Sequence, residues 1–175
     1  MKILKKIFYG LLIFIGAVLA VATFLPSTYK IERSMVVDAP ADTVYSQVAD
    51  LNRWMSWNPW TPTDPEAKNT ITGNGVGQTW EWNGKKVGNG SLTITKLDPN
   101  RSVGLTLTFK DSGDMTSTEV MSFERNENKT KVVWTDEGHL DWPLGRVFGL
   151  FLDGMLGPHF EKGLENLKAV SENKK

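Results

Sequence analysis

The sequence predicts an α+β fold in which a curved antiparallel sheet of about seven strands wraps around a long C-terminal helix. Three observations carry this prediction. The middle of the chain alternates between apolar and polar residues in short runs, its last part has apolar residues at helical spacing, and its first part is an uncharged apolar run. The predicted order is an N-terminal helix, one strand, two short helices, about six further strands and the long helix.

The N-terminal segment has the length and composition of one transmembrane helix. Residues 7–25 carry no charged side chain, and Pro26 ends the run. A helix needs about 20 apolar residues to cross the hydrocarbon core of a bilayer. Lys2, Lys5 and Lys6 precede the run and, by the positive-inside rule, predict a cytoplasmic N-terminus. The rest of a single-pass membrane protein would then be periplasmic or extracellular.

A cleaved secretory signal is the alternative interpretation of this segment. Residues 20–22, Ala-Val-Ala, match the small-residue pattern of a cleavage site. The apolar run continues past this site, whereas a signal peptide usually becomes polar there, so the sequence favours a retained anchor. Both interpretations export the remaining chain. The predicted organisation is an anchor at residues 1–26 and one folded domain at residues 27–175.

The composition excludes several classes of function. Lys and Arg together number 20, as do Asp and Glu, and no stretch after the first residues concentrates basic side chains, so no nucleic-acid partner is expected. The lack of cysteine excludes disulfides, thiolate metal sites and a cysteine nucleophile. The 7 tryptophans and 8 phenylalanines instead favour a large aromatic core, an apolar ligand pocket or both.

The predicted domain begins with one strand and two short helices. Residues 29–37 are rich in β-branched and apolar side chains and precede an Asp-Ala-Pro break. Residues 40–49 start with a proline suited to the first turn of a helix and repeat apolar side chains at helical spacing. Residues 51–57 predict a second helix, which the prolines at positions 59 and 62 end.

Residues 69–138 predict a meander of about six antiparallel strands. Turn residues divide this region at Asn83-Gly84, Asp98-Pro99-Asn100, Ser112-Gly113 and Asn126-Glu127-Asn128. The clearest strand is residues 102–110, where apolar and polar side chains alternate. One face of the sheet is therefore expected to meet water and the other to be covered.

The cover is predicted to be the last helix. Apolar side chains recur at helical spacing from Pro143 onward, at Leu144, Val147, Phe148, Phe151, Leu152 and Met155. The Gly157-Pro158 pair is expected to break or kink this helix before a second amphipathic run. The prediction is one long, bent C-terminal helix.

Five short segments, together with this order of elements, resemble a known family. They are Val-Val-Asp-Ala-Pro-Ala-Asp-Thr-Val-Tyr at 36–45, Asp-Leu-Asn-Arg-Trp at 50–54, Trp-Asn-Pro-Trp at 57–60, Gly-Asn-Gly-Val-Gly at 73–77 and Leu-Glu-Asn-Leu-Lys at 164–168. In these segments the chain resembles the START-like (SRPBCC) or helix-grip superfamily, and within it the polyketide cyclase/dehydrase and lipid-transport family. The resemblance extends from Tyr29 to about Glu172. It implies a ligand cavity between the sheet and the last helix, and the N-terminal anchor is an addition to the usual soluble form.

The candidate ligand-binding residues lie on predicted apolar faces, where each side chain either fills the core or lines the cavity. The apolar candidates are Trp54, Trp57, Trp80, Trp82, Leu105, Leu107, Phe109, Trp134, Phe151 and Met155. The polar candidates are Tyr45, Glu119 and Asp136, which would orient a ligand. Burial in an apolar cavity would raise the pKa of either carboxyl toward neutral.

No cofactor, metal or catalytic site is predicted. A strand follows the glycine-rich residues 73–77, whereas a phosphate site needs a helix N-terminus there. His139 and His159 lack a second ligand at a suitable helical spacing. The Gly-x-Ser-x-Gly pattern of a serine nucleophile is missing.

The expected function is the binding of a hydrophobic small molecule or lipid at the outer face of a membrane. Burial of apolar ligand surface would supply the affinity. Two alternatives stay open. One is a cyclase/dehydratase-type enzyme that uses the same cavity, and the other is a non-catalytic envelope protein that binds a protein partner.

Overall fold

The computed structural model describes residues 2–112 and 115–173. Its helices are α1 Lys2–Phe24, α2 Ala41–Val48, α3 Leu51–Trp54 and α4 Leu144–Ser171, with short 3₁₀ helices at Thr61–Thr63 and Lys110–Ser112. Its strands are β1 Thr28–Val37, β2 Lys68–Thr72, β3 Thr79–Gly84, β4 Gly88–Asp98, β5 Ser102–Phe109, β6 Met115–Asn126 and β7 Lys129–His139. The predicted Ser112-Gly113 turn lies partly outside the described residues.

The strands form one curved, 7-stranded antiparallel sheet in the order β1-β7-β6-β5-β4-β3-β2. Strands β2 to β7 are a meander in which each strand pairs with the next, and β1 pairs with β7. This arrangement confirms the α+β helix-grip fold predicted from the sequence. Because β1 and β2 are the two edges, the chain segment from α2 to β2 crosses from one edge of the sheet to the other.

Alternation along the central strands places one set of side chains in the core. Ile31, Leu105 and Met121 are almost fully buried, whereas their neighbours in the chain face the other side. Helix α4 packs on this buried face with Leu164 and Leu167. The pattern explains why the sheet is apolar on the α4 side and polar outside.

Glycine lets α4 approach the sheet closely. A Cβ atom at Gly163 would lie 2.8 Å from the Trp134 ring. In the same region the Trp134 ring stacks on Phe160 of α4, with centroids 4.4 Å apart and an interplanar angle of 12°. The C-terminal part of α4 therefore rests directly on aromatic side chains of the sheet.

Two element boundaries differ from the predictions. Helix α3 ends at Trp54 rather than near residue 57 and continues only as turns. The predicted tight turn at Asn83-Gly84 instead belongs to β3, and the chain reverses at residues 85–87. A Cβ atom at Gly84 would lie 2.5 Å from Asp64 Oδ2, so this glycine serves a close approach inside the fold.

Helix α4 runs through Pro158 without a break, as one long helix, and the predicted kink at this point stays a prediction. Arg33 of β1 binds α4 on both sides of the proline. Its Nη1 and Nη2 atoms donate to Asp153 at 2.9 and 3.0 Å, and its Nε donates to Glu161 at 2.7 Å. A side chain at Gly157 would collide with the same guanidinium group. These contacts hold the helix together where proline removes a backbone donor.

Helix α1 is long and apolar enough to cross a membrane. The most apolar 18 residues within Ile3–Phe24 have a mean hydropathy of 2.5, and 6% of them are buried in the structure. Its last turn contacts α4: Ala22 is buried, and Arg146 Nη1 lies 3.4 Å from the carbonyl oxygens of Ala22 and Leu25. A cation in this position balances the exposed carbonyl groups of a helix C-terminus.

Candidate ligand-binding site

A cavity lies between the β2–β5 part of the sheet and the segment that connects α3 to β2. Its volume is about 70 Å³, and together with the groove that leads to solvent the empty space is about 600 Å³. The lining residues are Trp54, Trp60, Thr61, Asp64, Ala67, Asn69, Trp80, Trp82, Val87, Leu92, Leu107, Phe109 and Glu119. None of the described residues that line it belongs to α4.

Strand register builds the floor of the cavity. Trp80, Leu92 and Leu107 are direct neighbours across β3, β4 and β5, so their side chains share one face. In the next row the Trp82 ring lies over Gly90, where any side chain would collide with the indole. Phe109 completes this row, with its ring centroid 6.3 Å from that of Trp82. Glycine near the start of β4 thus leaves the room that the Trp82 side chain requires.

A hydrogen-bonded loop forms the roof. Asn58 is almost fully buried, and its Nδ2 donates to the Trp54 carbonyl at 2.8 Å. Its Oδ1 accepts from the backbone N–H groups of Trp60 and Thr61 at 3.1 and 2.9 Å. The Trp54 indole in turn donates to the Val48 carbonyl at 2.8 Å. These bonds fix the two tryptophan rings above the cavity although the loop has little regular structure.

Glu119 is a buried carboxyl group in the cavity wall. Only 2% of its surface is exposed, and its Oε2 accepts a hydrogen bond from Trp134 Nε1 at 2.9 Å. Burial, reinforced by the negative charge of Asp136, raises the pKa of Glu119 to about 8, although the Trp134 hydrogen bond acts in the opposite direction. Near pH 7 this group is therefore mostly a neutral carboxylic acid with one O–H donor.

Asp136 and Tyr29 extend the acidic group behind the cavity wall. Asp136 lies directly opposite Glu119 in the β6–β7 ladder, and the Tyr29 hydroxyl donates to its Oδ2 at 3.0 Å. Burial raises the pKa of Asp136, against the lowering effect of its hydrogen bonds, and burial also raises the pKa of Tyr29. Two adjacent buried carboxyl groups resist double ionisation, so Glu119 holds its proton more firmly.

Polar contacts on the other side of the cavity are satisfied within the protein. Trp80 Nε1 donates to Asn69 Oδ1 at 2.9 Å, and Asp64 Oδ2 accepts from the Lys86 backbone N–H at 2.7 Å. Neither contact needs a ligand. Among the described lining residues, Glu119 therefore differs from Trp80 and Asp64. At neutral pH its buried carboxyl group carries an O–H donor, and an apolar space lies beside it.

The match to known proteins covers nearly the whole folded region. Residues 28–172 match the sequence profile described as polyketide cyclase / dehydrase and lipid transport. The chain belongs to this family. The resemblance inferred from the sequence is confirmed, and this family member adds the apolar helix α1 before the matched region. No curated protein sequence matches the chain.

Solved structures share the fold of this family member. Truncated norcoclaurine synthase from Thalictrum flavum is 15% identical with a TM-score of 0.63, covering 85% of this chain and 96% of that chain. A Thermobifida fusca protein is 19% identical with a TM-score of 0.65, covering 82% and 93%. The Aha1 dimer from Colwellia psychrerythraea is 21% identical with a TM-score of 0.56, covering 84% and 99%. At these identities the likeness shows the common fold.

The structure separates the predicted site residues into three groups. Those that line the cavity are Trp54, Trp80, Trp82, Leu107, Phe109 and Glu119. Those in the core, behind the wall or at its edge are Tyr45, Trp57, Leu105, Trp134 and Asp136. Phe151 and Met155 are exposed on the outside of α4 and do not line the cavity. The assignment of any of them to ligand binding stays a prediction.

The cavity does not lie between the sheet and α4, where the sequence predicts it. Aromatic side chains fill that space. Trp57 and Trp134 are almost fully buried with ring centroids 5.9 Å apart, and Phe160 stacks on Trp134. The empty space lies instead beyond this cluster, where the shorter α3-to-β2 segment covers the sheet.

Sequence reasoning missed several lining residues. Leu92 lies on the same face as Ile94 by alternation, a pattern that is sufficient to include it. Trp60 belongs to the Trp-Asn-Pro-Trp segment that carries the family resemblance, which is also a usable signal. Asp64 lies in the irregular loop before β2, where no periodicity marks its direction, whereas Asn69 shares one face of β2 with Ile71 by alternation.

Proposed function

We propose that this protein binds a hydrophobic small molecule or lipid through the cavity under the segment that connects α3 to β2. The observation that carries the proposal is an aromatic-walled space with one protonated carboxyl group, Glu119, in its wall. Ligand sites commonly combine apolar walls with a few polar groups that fix orientation. The description of the family, which includes lipid transport, agrees with this type of ligand.

The size of the cavity limits what enters it. Sites for drug-sized ligands have about 300–1,000 Å³, which exceeds the 70 Å³ of this cavity by a wide margin. We infer that a ligand inserts one ring or the end of one chain and leaves the remainder in the groove. Burial of each Å² of apolar ligand surface would contribute roughly 25 cal/mol.

Glu119 selects the polar group of the ligand. A neutral carboxylic acid donates to a carbonyl or hydroxyl oxygen, whereas a second carboxylate placed beside Glu119 and Asp136 would meet buried acidic groups. We therefore expect an uncharged ligand with one hydrogen-bonding oxygen. The donor is lost as pH rises above about 8, so affinity should fall there.

A matched pair of probes tests this proposal. We expect 4-hexylphenol to bind the full-length protein at pH 7 at least tenfold more tightly than 4-hexylbenzoate. Leu107→Trp, which fills the cavity, should abolish phenol binding, whereas Val120→Trp on the outer face of the neighbouring strand should not. Equal affinities for the two probes, or binding that survives Leu107→Trp, would contradict the proposal.

We also propose that α1 is retained as the membrane anchor, with the folded domain outside the cytoplasm. The length and mean hydropathy of α1 support the span, and Lys2, Lys5 and Lys6 support the orientation. Because the chain contains no cysteine, Lys85→Cys provides a single label site on the exposed β3–β4 loop. Labelling of intact cells by a membrane-impermeant thiol reagent is expected, and labelling only after lysis would refute the orientation. Recovery of the protein with residue 1 still present would exclude cleavage.

A second candidate function is enzymatic, because Glu119, Asp136 and Tyr29 group acidic side chains at a cavity. Norcoclaurine synthase, an enzyme by name, has the same fold. A protonated Glu119 beside a bound substrate would serve as a general acid. Mass spectrometry of a metabolite extract incubated with protein would detect conversion that Glu119→Gln removes. Binding without conversion favours the first proposal.

A further inference from the structure

Helix α4 has an unusual apolar surface in its N-terminal part. Leu144, Phe148, Phe151 and Met155 are 73%, 45%, 60% and 52% exposed. Their spacing is i, i+4, i+7 and i+11, which places them in one line along the helix. We name these four residues the apolar stripe. Scattered exposed apolar residues are ordinary, but a contiguous line of large ones indicates a contact surface.

The apolar stripe faces away from the domain. The opposite side of α4 carries the buried residues Phe160 and Leu164, which pack into the core, and Leu152 is buried at the border of the stripe. Further along the line of the stripe, Lys162 is exposed and paired with Glu165 at 3.1 Å. The apolar surface is thus confined to about the first three turns of the helix.

The stripe begins where α1 ends. Arg146, in the first turn of α4, bonds to the carbonyl groups of Ala22 in α1 and of Leu25 directly after α1. Phe24 and Trp142, which flank this contact, are 90% and 50% exposed. Residues 25–27 alone separate α1 from β1. If α1 crosses a membrane, the first turn of α4 is held at the membrane surface.

The cavity lies toward the same end of the sheet. Tyr29 is the second residue of β1. Residues paired directly across the sheet form a row that runs from Tyr29 through Leu107 and Leu92 to Trp80. Phe109 lies one row nearer to that end. The end of α1, the start of the apolar stripe and the cavity-lining strand ends therefore lie at one end of the domain.

We propose that the apolar stripe lies in the interfacial layer of the bilayer that α1 crosses, with Phe148 and Phe151 among the outer parts of the acyl chains. The proposal rests on the anchor role of α1 given above. A helix with one apolar face lies in the plane of the interface and buries that face by a few ångströms. Bilayer lipid is the occupant because the stripe is continuous with the end of the predicted span. This position would bring the cavity close to the lipids from which an apolar ligand comes.

Fluorescence quenching in nanodiscs tests the proposal with the full-length protein. The chain has no cysteine, so Phe151→Cys, Leu12→Cys and Glu165→Cys each give one site for an environment-sensitive nitrobenzoxadiazole label. All three side chains are exposed in the structure. Phosphatidylcholine spin-labelled near the headgroup or in mid-chain serves as the quencher. Thermal unfolding of each labelled variant checks that the domain remains folded.

We expect spin-labelled lipid to quench the label at position 151 at least twofold more than the label at position 165, with the shallow quencher more effective. Quenching at position 12 but not at 151 overturns the proposal and leaves the anchor role intact. Quenching at neither position overturns both. A blue-shifted label at 151 that lipid does not quench also overturns it, because a second copy or another protein then covers the stripe.

Discussion

Two groups of aromatic side chains on the same face of the sheet have opposite packing. In the filled cluster, Trp134 contacts both Trp57 and Phe160, and all three side chains are almost fully buried. In the lining cluster, Trp80 and Trp82 border a cavity of about 70 Å³. Helix α4 covers the first cluster, and an irregular loop covers the second. The comparison shows that aromatic content alone does not create a pocket; the covering element decides whether the rings meet other rings or empty space.

The largest expected difference between the clusters is in stability. Phe160→Ala removes a buried ring from a close-packed site, and we expect it to lower the free energy of unfolding by about 3–5 kcal/mol. Phe109→Ala removes a ring that already borders the cavity and is 38% exposed, so we expect a loss below about 1.5 kcal/mol. Urea denaturation of both variants measures the difference. Equal losses would mean that the two clusters are packed alike.

A second prediction uses the acid that connects the clusters, because Glu119 lines the cavity and bonds to Trp134. Its pKa is raised from 4.5 to about 8 on folding, so the folded protein holds a proton that the unfolded chain releases. Stability should therefore fall by on the order of a few kcal/mol as pH rises from about 4.5 to about 8, and level off above.

Glu119→Gln removes this titration while its amide oxygen still accepts from Trp134. Relative to the wild type, the variant should lose that downward slope in the free energy of unfolding between these pH values. Denaturation at a series of pH values provides the measurement. An unchanged slope in the variant would show that another group causes it.

The strands could be predicted because their signal is local. In β5, burial alternates along Val103, Gly104 and Leu105 as the side chains do, and the turn at residues 98–100 appears where expected. The buried side of α4 likewise follows from residues three and four apart. The prediction of a turn at residues 83–84 was wrong because Gly84 is required for a different reason. Asp64, from a distant loop, packs so closely against it that a side chain would not fit.

The position of the cavity could not be predicted for a related reason. Trp82 and Trp134 both point inward by alternation. What distinguishes a cavity wall from a filled core is the side chain from the covering segment that packs on each ring. For Trp134 that residue is Phe160, which is distant in the chain, and for Trp82 the space beside it is partly empty. Phe151 and Met155 lie away from this cavity because α4 has exposed apolar residues as well as buried ones, and helical spacing alone does not distinguish the two sets.

Two glycines of α4 provide a smaller test of close packing. Gly163→Ala places a methyl group 2.8 Å from Trp134, and we expect a loss of about 1–3 kcal/mol in stability. Gly154→Ala meets no atom within 4 Å and should stabilise the helix by about 0.5–1 kcal/mol. Thermal or urea unfolding would reveal the opposite signs. A tolerated methyl group at position 163 would mean that the filled cluster has spare room.

The smallest expected effect concerns Arg33, which connects β1 to α4 on both sides of Pro158. Arg33→Gln should change global stability by less than about 1 kcal/mol because its acidic partners are exposed. Amide exchange near Pro158 should nevertheless become faster, since proline already weakens the helix there. Arg53→Gln, at an exposed contact to Ser46, is the control. Equal exchange in both variants would argue against the connecting role.

The central claim is that ligand enters the space beside the lining cluster and not the space under α4. Methyl NMR of the full-length protein during titration with 4-hexylphenol tests it directly. We predict saturable shifts of the methyl signals of Leu92 and Leu107 in the cavity, and intermolecular contacts between these methyl groups and the ligand. The methyl signals of Leu164 and Leu167, on the sheet-facing side of α4, should change little. Contacts at the α4 leucines, or a response that never saturates at the cavity leucines, would contradict the account.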